Sequence, residues 1–284
     1  GYLYEVIEKS ERLKLRSPDD IEAVFFEMSA RGLLAEYYAD EGSTFKAMGE
    51  AKVTYDLIKK AMELTDRSPE FYFLSGLYNY FREKYPERHP IYKPFVWVFK
   101  SGDIDKGLMQ LDRAVKQSSI IKVEAALYLS YIWLRYESNP KEAKKYLQEL
   151  NHAYPTNDYF IAKLMECLIL LEQYEEALPL IEQLQSSQKS YYNMCGEIYM
   201  GHFLLHEKGN SVKSKVYFQK GLVIGNDFPH RGGYYRCVAY MGLGKIAVSN
   251  QQFDLAEEYF EKVMALDPSD LMVAEAEFEL KKIN

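Results

Sequence analysis

The sequence predicts an all-α fold, a solenoid of stacked helical hairpins, on three observations. The first is a recurring face: a small residue, a large apolar one four later, and another core-type residue three beyond that. It appears as Gly107/Leu111/Ala114, Ala143/Leu147/Leu150, Ala177/Ile181/Leu184, Ser214/Phe218/Gly221 and Ala256/Phe260/Val263. Offsets of four and seven place all three residues on one side of a helix. The small residues stand 36, 34, 37 and 42 apart, the period of a helical-hairpin array. The second observation is that each such helix has an upstream partner with its own close-approach position, at Gly76, Ser130, Gly201 and Gly244, with Met165 as an imperfect equivalent. The third is the punctuation between them.

Taken in order, residues 2–15 read as a leading helix, and "RSPDD" (Ser17, Pro18, Asp20) opens a divergent hairpin over about 19–66. "RSPE" supplies Ser68 as a helix cap with Pro69 in the first turn, starting a helix of about 69–83 whose partner covers about 102–118. "SNPKEA" repeats the device with Asn139 and Pro140, and adds Glu142 to close a capping box. "AYPTND" and "LDPSD" end helices with a proline after the last turn. "NDFPHRGGYYR", residues 226–236, accounts for the wide last spacing, with Gly232-Gly233 allowing a sharp turn or a flexible joint. "DLMVAEAEFELKK" closes the array, since the last hairpin otherwise exposes its apolar face.

Composition bounds the function. Apolar residues make up 48% and charged residues 27%, an ordinary soluble balance with ample core material. Lys+Arg 35 against Asp+Glu 42 leaves a net charge of −7, which argues against nucleic acid as a partner. No run approaches the roughly 18 apolar residues that a membrane span needs. Cys167, Cys195 and Cys237 form no CxxC pair, so neither a disulfide framework nor a thiolate zinc site is expected. The chain opens Gly-Tyr-Leu and not with Met. A removed signal peptide would explain that and leans the expected location toward export or the periplasm; a trimmed cytosolic protein would open the same way. Tyrosine is the outlier at 25 residues, a ring that can pack between helices or line a binding groove.

The last unit, "CVAYMGLGKIAVSNQQFDLAEEYFEKVMALDPSD", resembles the tetratricopeptide repeat family. It carries Tyr240, Leu243-Gly244, Ala256, Phe260 and the closing Pro268, with Val263 where the family prefers Ala. The resemblance implies a right-handed α-solenoid of tetratricopeptide-type hairpins with one insertion (about 85–101) and a C-terminal capping helix. The expected organisation is one solenoid over 1–284: helix and divergent hairpin to 66, five units over 69–268, and the capping helix over 269–284. Residues of about 70–190, through "GLYNYF…P…GDIDKGLMQLDRA", also resemble the fungal inclusion-body clearance family and its animal tetratricopeptide relatives, which brings no catalytic residues to transfer.

The insertion, "YPERHPIYKPFVWVFKSGD", holds prolines at 86, 90 and 94 before an apolar run. Tyr92, Phe95, Trp97 and Phe99 either plug a gap on the solenoid surface or form a lid or wall of a partner site.

In such arrays the first helices line the concave surface. Projecting the family's groove positions gives Phe73, Leu77 and Tyr80, then Leu127, Tyr131 and Arg135, then Tyr159, Ala162 and Glu166. Ile198, His202 and His206 follow, then Met241, Lys245 and Ser249. Family members that grip the C-terminal carboxylate of chaperone tails use repeated Lys and Asn there; Lys245 stands alone, which disfavours that clamp. The groove is mixed and aromatic, suiting an apolar peptide or a partner helix, while core packing would explain many of the same residues. His202 and His206 are half of a metal site, with Glu197 or Glu207 as a conceivable third ligand, but the Glu that a hydrolytic zinc helix needs after its first His is missing. Arg231, Tyr234, Tyr235 and Arg236 form a donor-rich patch suited to a carboxylate or sugar, or belong to a loose loop between repeats. No catalytic residue, metal or cofactor is predicted. The expected function is a non-enzymatic scaffold for another protein or peptide. The alternative is a small-molecule or lipid binder closed by residues 85–103, and the oligomeric state stays open.

Overall fold

The computed structural model describes residues 1–88, 90, 93, 99–229, 231–266 and 270–283. It is an all-α solenoid, with 14 helices and no strand among the described residues. The chain packs as two compact units, Gly1–Leu129 and Ser130–Asn284.

In the first unit α1 (Tyr2–Arg16) lies on α2 (Ile21–Asp40), which pairs with α3 (Thr44–Glu63). Next to α3 comes α4 (Phe71–Arg88), paired with α5 (Ile104–Gln117); α6 (Lys122–Arg135) begins in this unit and ends in the next. Val24, Phe25 and Met28 meet Leu57, Ala61, Leu64 and Phe71 in its core. The leading helix is held by charge as well as by apolar contact. Arg31 reaches Glu27 at 3.0 Å, Glu50 at 2.9 Å and Glu11 at 2.6 Å, joining three helices through one guanidinium.

The close-approach residues act as their small size requires. A Cβ on Gly107 would lie 2.7 Å from the Tyr80 nitrogen and 2.9 Å from the Gly76 oxygen, and one on Gly76 would lie 2.8 Å from Leu111 Cγ. Backbone meets backbone there, so nothing flexible can give way. Gly107→Ala is expected to cost about 2 kcal/mol by overpacking, read as a lower urea midpoint. Gly49→Ala, where a Cβ meets nothing within 4 Å, is the control and should not destabilise.

Several boundaries differ from the sequence expectation. α4 runs through Pro86 to Arg88, beyond the expected end near 83; in the last turn a proline removes only one helical hydrogen bond. The cap of α2 is Asp20, whose Oδ1 accepts from Ala23 N at 2.9 Å, while Ser17 ends α1. A carboxylate at a helix N-terminus is favoured over a hydroxyl by the helix dipole. Ser68 sits in the turn before α4, its Oγ accepting from Glu70 N at 3.4 Å. Asn139 does cap α7 (Pro140–Ala153), accepting from Glu142 N at 3.3 Å. The capping box does not close, because Glu142 turns to Lys145 at 2.6 Å and Asn139 N donates to the Trp133 carbonyl at 2.7 Å.

Of the insertion, Tyr92, Phe95 and Trp97 lie outside the described residues, as do His89, His230 and Pro268. Its exit is tied to α3 and α4. Phe99 packs edge-on against Tyr55 at 4.8 Å, and Lys100 N donates to the Tyr55 hydroxyl at 3.0 Å. Tyr78 donates to the Lys100 carbonyl, Gly102 N to Glu83 Oε1 at 2.7 Å, and Asp103 N to the Asn79 carbonyl at 3.0 Å.

In the second unit α7 is followed by α8 (Asp158–Leu170), α9 (Tyr174–Gln185), α10 (Ser190–His206), α11 (Ser211–Gly225), α12 (Gly233–Ser249), α13 (Phe253–Ala265) and α14 (Asp270–Ile283). Each helix packs on the next. The first helices of the hairpins, α8, α10 and α12, also touch one another in turn, and α12 touches α14; the second helices make no comparable contact among themselves. The unit is therefore tighter on its first-helix side and curves toward it. Gly201 faces the Phe218 ring and Gly244 the Phe260 ring, both too close for a Cβ. α14 covers the last hairpin, with Ala276, Met272, Leu280 and Ile283 against Cys237, Met241 and Phe260.

Candidate functional site

The inner face of Ser130–Asn284 gathers the polar and aromatic side chains of its first helices. Glu166 of α8 is fully buried. Arg135, at the end of α6, donates through Nη2 to Oε1, and Lys163, one turn back on α8, lies 3.2 Å from Oε2. Burial opposes the charge on Glu166, yet Lys163 and Arg135 outweigh it and hold the carboxyl below its usual range. The trio carries one surplus positive charge.

A tyrosine cluster covers this pin. Gly232 caps α12 at φ 72, a left-handed turn that suits glycine, and the next residues are Gly233, Tyr234 and Tyr235. The Tyr234 ring lies 4.2 Å from the Arg135 guanidinium, a cation–π contact. Tyr235 meets the rings of Tyr234 and Tyr199 at 5.8 Å and Tyr191 at 6.2 Å, all nearly edge-on. Burial pushes the phenols of Tyr199, Tyr234 and Tyr235 upward and that of Tyr191 up to about 12, so none is anionic at neutral pH. The inner face at its centre is filled by the chain's own rings.

The groove residues expected from the sequence separate accordingly. Tyr80 is fully buried behind Gly107 and Phe73 is buried edge-on against Tyr128, so both belong to the core: the glycine contact that closes the hairpin draws Tyr80 inside it. Leu77 is half-buried. Arg135 and Glu166 come together, but beneath Tyr234. Lys245 pairs with Glu275 at 2.6 Å. Tyr131 and Tyr159 stay 46% and 39% exposed beside the pin, with large ring area open to solvent. Lys163, Tyr191 and Tyr199 were not foreseen; for Lys163 the i, i+3 spacing to Glu166 is a usable signal.

The 231–236 patch does not form as one surface. Arg231 sits over the Tyr191 ring at 4.9 Å, Arg236 donates to the Pro229 carbonyl at 3.1 Å, and the two tyrosines turn inward. Successive residues of a helix point to different sides, which scatters a compact sequence cluster.

His202 and His206 stack with ring centroids 4.2 Å apart. Among the described residues no group of three or more His, Cys, Asp and Glu could hold a metal ion. The three cysteines are buried thiols, and burial pushes Cys167 up to about 12, away from a nucleophilic thiolate. Among the described residues no helix is long and apolar enough to cross a membrane.

Family models of the tetratricopeptide repeat match residues 134–194 and 238–270. No curated protein matches the chain. Similar solved structures include the C-terminal part of a TPR repeat-containing protein from Cytophaga hutchinsonii, at 11% identity, covering 97% of this chain and 94% of that one, with a TM-score of 0.51. PilW, described as a widely conserved type IV pilus biogenesis factor, is 15% identical, with 90% and 97% covered and a TM-score of 0.50. The APC/C hetero-tetramer Cut9-Hcn1 is 10% identical, with 99% of this chain and 52% of that chain covered and a TM-score of 0.52. At these identities the likeness concerns the fold alone.

Proposed function

This chain belongs to the tetratricopeptide repeat proteins, and from that premise we infer that it is a non-enzymatic scaffold holding a peptide or helix of another protein on the first-helix face of Ser130–Asn284. One observation carries the reading. Tyr131 and Tyr159 are the large rings left half-open beside a buried charged pin, when nearby Tyr199 and Tyr235 are almost wholly covered. Folding has closed the centre of the face and left its α6–α8 edge exposed.

Rings held on a rigid base lose little freedom when a partner arrives, and tyrosine is among the residues enriched at energetic centres of interfaces. The adjoining Lys163 adds a cation 5.9 Å from the Tyr159 ring, where a partner's carboxylate or carbonyl could be met. The contact is therefore aromatic with a polar rim.

Crosslinking and mass spectrometry from native lysate identifies the protein held, and titration of that protein then tests the face. Tyr131→Ala and Tyr159→Ala are each expected to weaken binding about tenfold with the helical circular dichroism unchanged. Binding undiminished in both variants would remove this face from the site.

A further inference from the structure

The open edge of the first-helix face carries positive charge that its own acids do not use up. Glu166 accepts from Arg135 and has Lys163 3.2 Å from its second oxygen, so two cations stand against one buried carboxylate. Asp158, at the start of α8, is answered too: Lys189 lies 3.2 Å away and the Ser187 hydroxyl donates to it at 3.1 Å. Arg231, in the turn before α12, is exposed and makes no ion pair among the described residues. Lys163 and Arg231 are therefore surplus cations, in a chain whose net charge is −7.

Rings join the two. Lys163 lies 5.9 Å from the Tyr235 ring, Tyr235 meets Tyr191 at 6.2 Å, and the Arg231 guanidinium sits 4.9 Å over Tyr191. Those steps leave the cations at most about five residues of extended chain apart. Tyr159, beside Lys163, and the half-buried Tyr192, beside Tyr191, border the same path. The second helices of the unit have the opposite sign. Glu175, Glu176 and Glu182 on α9, and Asp254, Glu257, Glu258 and Glu261 on α13, are all exposed. An anionic segment is thus repelled by those helices and drawn to this edge.

We propose that the segment held here is an internal acidic stretch of the partner, with one side-chain carboxylate on Lys163, another on Arg231, and an apolar residue between them on Tyr159 and Tyr192. The inference rests on the face proposed above and names the chemistry of its occupant. The surplus cations are set apart along a track of rings, so they match two side chains a few residues distant and not a single terminal carboxylate. A polynucleotide fits worse. Two surplus cations neutralise too few phosphates, and the acidic second helices oppose the rest of such a backbone. The rings supply the contact area, while the charges set which segments are admitted and how fast they arrive.

The test is selection from a library of random peptides, displayed without a free carboxyl terminus and panned against the full chain. Enriched sequences should carry two Asp or Glu within about five residues of each other, around an aromatic or aliphatic side chain. A winning peptide, acetylated and amidated, should bind more weakly as salt rises. Its affinity should fall about tenfold for Arg231→Glu, with the helical signal unchanged because Arg231 is exposed and unpaired. Changing one of its two acids to lysine should restore binding to that variant. Lys163→Gln should weaken binding as well, but it also loosens Glu166, so the charge swap at Arg231 is the deciding measurement. Neutral or basic winners that still depend on Tyr131 and Tyr159 would overturn the acidic class and leave the face standing. Winners indifferent to Tyr131→Ala and Tyr159→Ala would sink the face and this inference with it. No enrichment at all would overturn the acidic class, while the face is judged by its crosslinked partner. A single-stranded oligonucleotide that displaces the winning peptide would overturn it in favour of a phosphate backbone.

Discussion

Arg135→Met is expected to lower the stability of the second unit by about 3 kcal/mol, because it strands a carboxylate that no water can reach. Methionine keeps much of the volume of the arginine stem, so the loss is electrostatic more than steric. Glu166 would retain only Lys163, 3.2 Å away on its own helix, against the burial of its full side chain. The measurement is urea unfolding together with hydrogen exchange over α8, since repeat arrays open locally before they unfold as a whole. The double variant Arg135→Met/Glu166→Leu should recover to within about 1 kcal/mol of the unchanged chain, as buried ion pairs often do when both partners become apolar. Acid offers a second check. The native Glu166 carboxyl lies below its ordinary value of 4.5, so its contribution is present above that pH and fades as pH falls through the native value. The deficit of Arg135→Met should therefore shrink on acidification. A single variant as stable as the parent would mean that Glu166 is solvated or already neutral.

The hairpins were legible because their contacts are local and repeat. Gly76 against Gly107 and Gly244 against Phe260 follow from a spacing visible in the chain, and the structure makes those contacts. What stayed hidden is how far each helix turns about its own axis. A projected groove position gives a helical face, but a rotation of one residue moves Tyr80 from the groove into the hairpin interior, where it lies. The contact between Tyr234 and Arg135 was out of reach for another reason. It joins residues nearly a hundred positions apart across a turn whose course depends on the left-handed backbone at Gly232. The string "RGGYYR" displays donors and rings without their direction.

Acidification should destabilise the second unit through His202. Burial, then the neighbouring charges of His206 and Lys245, lower its pKa from 6.5 to about 3. An unfolded chain takes up this proton near its ordinary value, while the folded one refuses it until far lower pH. The stabilisation is therefore complete above about pH 6.5 and drains away below it, reaching a loss of about 3 kcal/mol at pH 4. His206, lowered mainly by burial and by Lys245, acts in the same direction. Carboxylates titrate over part of this range too, so the informative quantity is the difference between two chains. His202→Phe keeps a ring among Tyr174, Tyr199 and His206, at centroid distances of 6.3, 6.3 and 4.2 Å in the parent, and cannot take a proton. Urea midpoints measured from pH 7 to pH 4 are expected to fall less steeply for this variant, by the equivalent of about 3 kcal/mol over the range. Parallel slopes would mean that His202 titrates in the folded protein as it does in the unfolded chain, and that the inner end of α10 is open to water.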